Sequence, residues 1–418
     1  MSGLEVQVMK ALVLAGGLPQ VALIEALKNR GITTVLADYF PNPVAKPYAD
    51  IFYQVSTLDI PAITQVARKE NVDFLITVCT DQALLTVAQV SEELGLPCYI
   101  DHKTALNVTN KSYMKRVFAE KNISTARFEV MGELDHGRIS HLRYPLIVKP
   151  VDCNSSKGVQ RVDDPKMLEK AFGQAVQLSR TKTAIVEEYI VGPELSVDVY
   201  VEDGIAKVLA VSELDKIPQE DKFVIFRSKY PEKMSDKLYQ QICLIAQQIA
   251  DAFELKNSPM LIQMISDGET AYVLEFSART GGGEKFVMIR RVSGFDVIDA
   301  VVELTLGNQP HVAVQKTGSQ FFASEFIYCR PGVFEKMVGV EDLLKQGILS
   351  DFYQFKSAGA EVGNINNSGD RVAGYSIVAD TRQELEHKHN VAKEKLQVLD
   401  VSGNDIMRRD LLTDLYNK

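Results

Sequence analysis

The chain has no Lys/Arg-rich run, and its 418 residues carry a net charge of −9. That balance argues against a general nucleic-acid surface and leaves room only for a local basic groove. No stretch of about 18 apolar residues exists, so no membrane-spanning helix is expected. The apolar segment from Met9 to Gly17 is short and ends in glycines rather than in a cleavage site, so no secretory signal is expected either. The five cysteines, Cys79, Cys98, Cys153, Cys243 and Cys329, include no C-x-x-C pair. An odd, scattered set suggests neither a disulfide framework nor a zinc cluster, and fits reduced thiols in the cytoplasm. Low-complexity segments and repeats are also missing. What is present is 46% hydrophobic and 24% charged residues, the mix of a soluble globular protein with a sizeable core. The length suggests two to four domains, or one core domain with attachments.

The first hundred residues alternate short apolar runs with helical patterns. Lys10–Ala15, Thr33–Ala37 and Asp73–Val78 read as strands, with Phe52–Val55 and Cys98–Ile100 as shorter ones. Helices follow Pro19 and Asp81. This rhythm predicts a parallel sheet covered by helices. A dinucleotide site is disfavoured, because Ala15-Gly16-Gly17-Leu18-Pro19-Gln20 lacks G-x-G-x-x-G. Thr104–Lys121 reads as a helix pair or one long helix. Hairpins are predicted around Asp203-Gly204 and Asp267-Gly268, and a long amphipathic helix over Leu238–Phe253. Phe295–Leu306 reads as helical. The last hundred residues read as a small α+β module, with strands at Phe321–Tyr328, Asp351–Phe355 and Arg371–Val378 and a helix over Thr381–Leu396.

The middle of the chain carries the chemistry. Lys149 ends the apolar strand Leu146-Ile147-Val148, and a partly enclosed ammonium there needs an anionic partner. Ser155-Ser156-Lys157-Gly158 follows, a loop of small residues whose backbone can approach a phosphate, although a mobile surface hairpin has the same composition. Glu187-Glu188-Tyr189-Ile190-Val191-Gly192-Pro193-Glu194 closes a buried strand as a charged hinge. Its backbone can pair with an adenine edge, and Glu194 can accept from ribose hydroxyls. Glu275 ends the strand Tyr272-Val273-Leu274 as a hard oxygen ligand suited to Mg²⁺, with Gln263 on the partner strand and Ser277 and Arg279 beyond it. Arg279 can neutralise charge on a transferring phosphoryl group. Arg227 is a second phosphate or carboxylate candidate, weighed equally against a surface loop, and Arg290 or Arg291 a candidate for holding a substrate carboxylate. Each feature alone has an ordinary explanation as a surface lysine, a strand-end salt bridge or a turn.

Their order, two lysines, a Ser/Gly loop, Glu-Glu-x-x-x-Gly-x-Glu, then Glu-x-Ser-x-Arg, resembles the ATP-grasp superfamily over nearly the whole chain. The resemblance implies a mixed α/β and α+β protein: a Rossmann-like domain over 1–104, an ATP-grasp domain over 105–310 with a mobile lid at roughly 123–188, and a C-terminal module over 311–418. It implies that Lys111 and Lys149 hold ATP phosphates and that Ser155, Ser156, Lys157 and Gly158 cover them. Glu188 and Ile190, flanked by Glu187 and Tyr189, would read adenine, and Glu194 the ribose. Glu275 would hold Mg²⁺, or Mn²⁺ in its place. Two departures stand out: Gln263 replaces a second metal carboxylate and Ser277 replaces an asparagine, both lowering the negative charge or donor strength at the metal. Within the superfamily the chain looks most like carboxylate–amine ligases such as L-amino-acid ligases, through Ser277-Ala278-Arg279-Thr280-Gly281-Gly282-Gly283-Glu284 and Ile327-Tyr328-Cys329-Arg330-Pro331-Gly332. The implied reaction activates a carboxylate as an acylphosphate and joins it to an amine, with Arg279 and Lys149 closest to the chemistry. The implied partners are small molecules, with neither nucleic acid nor membrane, and a homodimer by analogy with relatives. Two rivals remain at this point: carboxyphosphate chemistry of the carbamoyl-phosphate-synthetase or biotin-carboxylase kind, and a catalytically weak nucleotide-binding regulator.

Overall fold

The computed structural model describes residues 8–153, 157–217, 223–231, 234–313 and 321–416. Four parallel strands open the chain, in the order Ile51–Gln54, Thr33–Asp38, Lys10–Leu14, Phe74–Ile76. Their central members are apolar on both faces because helices cover both faces. On one face Leu12, Leu14 and Val35 meet Ile63, Val66 and Val87 from the helices Ile60–Glu70 and Asp81–Leu94. On the other, Val13 and Leu36 share a core with Leu23 of the helix Leu18–Lys28 and with Ile289 and Val301 of the helices Lys285–Ser293 and Val297–Thr305. The first βα turn is tightly built. Asp38 accepts from the amides of Gly16 (2.7 Å) and Phe40 (2.8 Å), and a Cβ on Gly16 would lie 2.6 Å from the Pro43 ring. Cys98–Ile100, expected as a strand, joins no sheet among the described residues and forms an irregular connection.

The expected helix over Thr104–Lys121 is two helices, His102–Thr109 and Lys111–Glu120. Asn110 divides them, and its side chain caps the second by accepting from the Tyr113 amide. A four-stranded antiparallel sheet follows, ordered Phe128–Met131, Ala184–Glu188, Leu146–Pro150, Gln160–Val162, and the helix Pro165–Leu178 covers one face. This is the lid.

The largest sheet has eight strands in the order Ala271–Ser277, Ser258–Ser266, Glu194–Glu202, Ile205–Lys216, Ile225–Tyr230, Phe321–Ile327, Ala373–Ala379, Asp351–Gln354. Every neighbouring pair is antiparallel. The helix Asp236–Ala252 packs Ile242, Ile245 and Ile249 onto it. The sheet therefore runs without a break across the boundary expected near residue 311. The open edge of Ile225–Tyr230 needs a partner, and Phe321–Ile327 supplies it. The small sheet Glu361–Val362, Gly332–Val338, Gln397–Asp400 and the helices Val340–Lys345 and Arg382–Lys395 lie outside it as an attached layer.

Arg227 sits inside this seam and is fully buried, neither in a surface loop nor facing phosphate. It is held by Glu325 (2.6 Å), Asp215 (3.3 Å) and the carbonyls of Thr413 (2.5 Å) and Asp414 (3.2 Å), so it fastens the end of the chain to the large sheet. Among the described residues no helix is long and apolar enough to cross a membrane.

Candidate functional site

A cavity of about 500 Å³ opens between the lid sheet and the large sheet. Lys111, the first residue of its helix, reaches it and ties three pieces together. Its Nζ lies 2.7 Å from Glu275 Oε2 and donates to the Cys153 carbonyl in the lid at 2.8 Å. Burial is the largest single influence on Lys111 and opposes its charge, but Glu275 and Asp81 together raise the ammonium above its usual value. Glu275 is likewise held below the usual carboxylate range, against its burial, chiefly by Lys111.

Lys149 finds the anionic partner its position demands: Glu187, on the neighbouring lid strand. Glu187 is not merely a flanking hinge carboxylate. Its second oxygen lies 2.7 Å from Lys115 Nζ, so one buried carboxylate serves two ammonium groups. Lys115 also donates to Thr125 Oγ1 at 2.7 Å. Against burial, the two lysines hold Glu187 at about 2. Burial, opposed by Glu187 and reinforced by Lys149, brings Lys115 down to about 8.

Past Glu187 the hinge lines the cavity with Glu188, Tyr189 and Ile190. The amides of Glu188 and Tyr189 donate to the carbonyls of Arg127 and Pro145, both at 2.9 Å, which fixes the hinge against the lid. The Glu188 carboxylate turns outward to the Arg143 amide (3.0 Å). Gly192 then lets the backbone pass close to the hairpin end, where a Cβ would stand 1.8 Å from the Ser266 carbonyl oxygen. Glu194 follows at the cavity edge, paired with Lys216 at 2.5 Å. Of the lid loop, Lys157 lines the cavity and Gly158 packs against Pro150. Ser155 and Ser156 lie outside the described residues.

At the far end Gln263 and Glu275 face each other across the hairpin, with Ser277 two residues on. These are hard oxygen donors, but among the described residues no group of three or more His, Cys, Asp or Glu gathers to hold a metal ion. Arg279 is clamped by Asp81, the first residue of the helix Asp81–Leu94, Nε to Oδ1 at 2.9 Å and Nη2 to Oδ2 at 2.6 Å. Burial notwithstanding, this partner raises the guanidinium and lowers the carboxyl, to which Ser277 adds a hydrogen bond. Cys79, just before Asp81, holds a left-handed backbone (φ 60°), a sparsely populated conformation of the sort found at functional sites.

Arg290 and Arg291 stay out of the cavity, paired instead with Asp296 (3.4 Å) and Asp351 (3.3 Å). Sequence reasoning missed Asp81, Lys115, Lys216, Glu284, Lys285 and Arg371. Glu284 alone carried a signal, as the acidic end of the Gly281-Gly282-Gly283 run.

Residues 142–287 match the ATP-grasp domain model. Over that segment the chain is similar to ATP-grasp domains. A carbamoyl phosphate synthase large chain of Clostridium acetobutylicum is 23% identical over 292 residues, 68% of this chain and 27% of that one. A D-alanine–D-alanine ligase of Fusobacterium nucleatum is 32% identical over 148 residues, 33% of this chain and 47% of that one. This chain therefore spans about a quarter of the first relative and about half of the second. The crystal structure of an L-amino acid ligase from Bacillus licheniformis superposes with a TM-score of 0.79 at 19% identity, covering 94% of this chain and 98% of the other, which shows a shared fold. Lys149, the hinge, Glu194, Gln263, Glu275 and Arg279 all fall within the matched ATP-grasp segment, whereas Lys111, Lys115 and Asp81 precede it.

Proposed function

We propose that the chain is an ATP-dependent carbon–nitrogen ligase that converts a carboxylate to an acylphosphate and passes the acyl group to an amine, releasing ADP and phosphate. The observation that carries the reading is the convergence of Lys111 and Lys149, from different elements, on one cavity bordered by the hinge and by Glu275. Two buried ammonium groups beside carboxylates form a site whose charge is rebalanced when a polyphosphate enters. Lys111 can then turn from Glu275 to phosphate, which frees Glu275 for a divalent ion.

The donors fit Mg²⁺, which commonly uses one or two carboxylates and takes its remaining ligands from phosphate and water. Glu275, Gln263 and Ser277 would hold it. When bound, the ion supplies charge neutralisation on the phosphoryl oxygens. The chain's own residues do the rest. The lysines position phosphate, the Asp81–Arg279 clamp keeps a fixed positive charge at the far end, and the lid excludes water from the reactive acyl group. Adenine would lie along Glu188–Ile190 and ribose against Glu194. Carboxylate and amine substrates are small molecules on this reading. All five cysteines are free, which accords with a cytoplasmic site of action.

The test is ADP release with Mg²⁺ and ATP across a panel of carboxylates paired with amines, alongside calorimetric ADP binding. Amine-dependent ADP release is expected. ADP binding without turnover on a broad panel would point to a nucleotide-responsive regulator, a reading favoured by the neutral Gln263 and Ser277. Bicarbonate-dependent release would point to carboxyphosphate chemistry.

A further inference from the structure

Of the three side chains suited to hold a divalent ion, only Glu275 carries a charge, because Gln263 and Ser277 are neutral. That one charge is already matched by Lys111, whose Nζ lies 2.7 Å from Glu275 Oε2. The ammonium is anchored there from two sides. Lys111 opens the helix Lys111–Glu120 behind its Asn110 cap, and its Nζ also donates to the Cys153 carbonyl of the lid at 2.8 Å. Asp81, which lines the same cavity, has no oxygen to spare, since Arg279 bonds both. Glu187 is likewise shared between Lys115 and Lys149. Along these ion pairs four cations, Lys111, Lys115, Lys149 and Arg279, meet three carboxylates, Glu275, Glu187 and Asp81. One positive charge is left over.

We propose that Lys111 is the resident cation of the metal site: it bars a free divalent ion from the empty protein until a nucleotide polyphosphate draws its ammonium off Glu275. The inference rests on the ligase reading above and adds a binding order to that site. Mg²⁺ is commonly held by one or two carboxylates together with substrate phosphates. Here one carboxylate is all that Glu275, Gln263 and Ser277 offer, and an ammonium holds it. Moving Lys111 aside with no anion to receive it leaves a partly enclosed ammonium unpaired next to a double positive charge, and like charges a few ångströms apart repel. A polyphosphate removes both obstacles, because it receives the ammonium and brings its own oxygens to the ion. The coupling is reciprocal, so ion and nucleotide each strengthen the binding of the other. Gln263 makes the order strict. A carboxylate at that position would keep one negative charge after Glu275 had paired with Lys111, and a free ion would then find a ligand.

The test is Mn²⁺ binding to the protein without nucleotide, read by electron paramagnetic resonance, with ADP binding followed separately by calorimetry. The empty native protein should bind Mn²⁺ no more tightly than about 1 mM, and its ADP complex should take up the ion. Lys111→Met removes the resident cation and Gln263→Glu adds an anion. Each should tighten Mn²⁺ binding to the empty protein by about tenfold or more. Lys149→Met removes an equal charge and leaves Lys111 on Glu275, so it should gain much less than Lys111→Met. That contrast separates an occupied ligand from a general loss of positive charge. Tight Mn²⁺ uptake by the empty native protein overturns the proposal and depends on no variant folding. Equal gains in Lys111→Met and Lys149→Met, or no gain in either Lys111→Met or Gln263→Glu, overturn it as well. In each of these cases ADP binding by the native protein leaves the ligase reading standing, whereas absence of ADP binding overturns the ligase reading itself.

Discussion

Gln263 and Glu275 stand opposite each other in the ladder joining Ser258–Ser266 to Ala271–Ser277, so a single carboxylate and a neutral amide face the same end of the cavity. Their spacing in sequence is set by the hairpin around Asp267-Gly268, whose Asp267 side chain accepts from the amides of Glu269 (3.0 Å) and Thr270 (2.8 Å). The ladder slips by one residue immediately after Gln263, between it and Met264.

Gln263→Glu places a second hard, charged ligand beside Glu275. We expect the divalent-ion affinity of the ADP complex to rise by about tenfold, roughly 1.4 kcal/mol. Electron paramagnetic resonance of Mn²⁺ in the presence of ADP measures it without relying on turnover. An unchanged Mn²⁺ affinity would show that Gln263 is not a ligand.

The shared carboxylate Glu187 separates two kinds of lysine. Lys115 is 1% exposed, and removing it leaves a buried carboxylate with one counter-ion. Lys115→Met should therefore cost about 3 kcal/mol or more of stability, the usual scale for breaking a buried pair. Lys149 lies at the cavity, so Lys149→Met should weaken ADP binding by about tenfold or more, with the smaller loss of stability. Denaturant unfolding and calorimetry on both variants decide it, and equal behaviour of the two would contradict this division.

How much of this was legible follows from where each signal resides. The N-terminal strands are continuous apolar runs, and the hairpins are marked by Asp203-Gly204 and Asp267-Gly268, so both are local and readable. The helix Lys285–Ser293 is harder, because Phe286, Val287, Met288 and Ile289 are all buried and leave no helical stripe. The strand Ile225–Tyr230 hides for the opposite reason. Arg227, Ser228 and Lys229 are polar yet buried, the first and last satisfied by carbonyls from the end of the chain and Ser228 by Ser212 and Lys285. In the site, Lys149 announced itself at the end of an apolar strand. Lys115 is one basic residue among several on a helix, and Asp81 is an ordinary first-turn carboxylate until folding brings Arg279 to it. Lys115 and Asp81, which pair with Glu187 and Arg279, carry no such local mark.

The Asp81–Arg279 clamp ties the helix Asp81–Leu94 to the segment that matches the ATP-grasp model. Asp81→Ala leaves a buried guanidinium without its carboxylate, so we expect about 2–5 kcal/mol of destabilisation. In a double-mutant cycle with Arg279→Ala, the second substitution should cost much less than it does alone. Additive losses would mean that the two side chains act independently.

Glu284 gives a pH signature of opposite sign to that of a salt-bridged acid. Burial raises its carboxyl from 4.5 to about 8, with Ser324 and Arg371 pulling it down and Asp351 and Glu325 pushing it up. Between those two values the folded protein holds a proton that the unfolded chain has released. Stability therefore falls as pH rises through that window, at up to ~1.4 kcal/mol per pH unit, and levels off above it. Glu284→Gln removes the titration and keeps the shape. Its thermal midpoint should nearly match that of the native protein near pH 5 and exceed it increasingly towards pH 8.5. A midpoint difference that does not change with pH would show that Glu284 is already charged in the folded state.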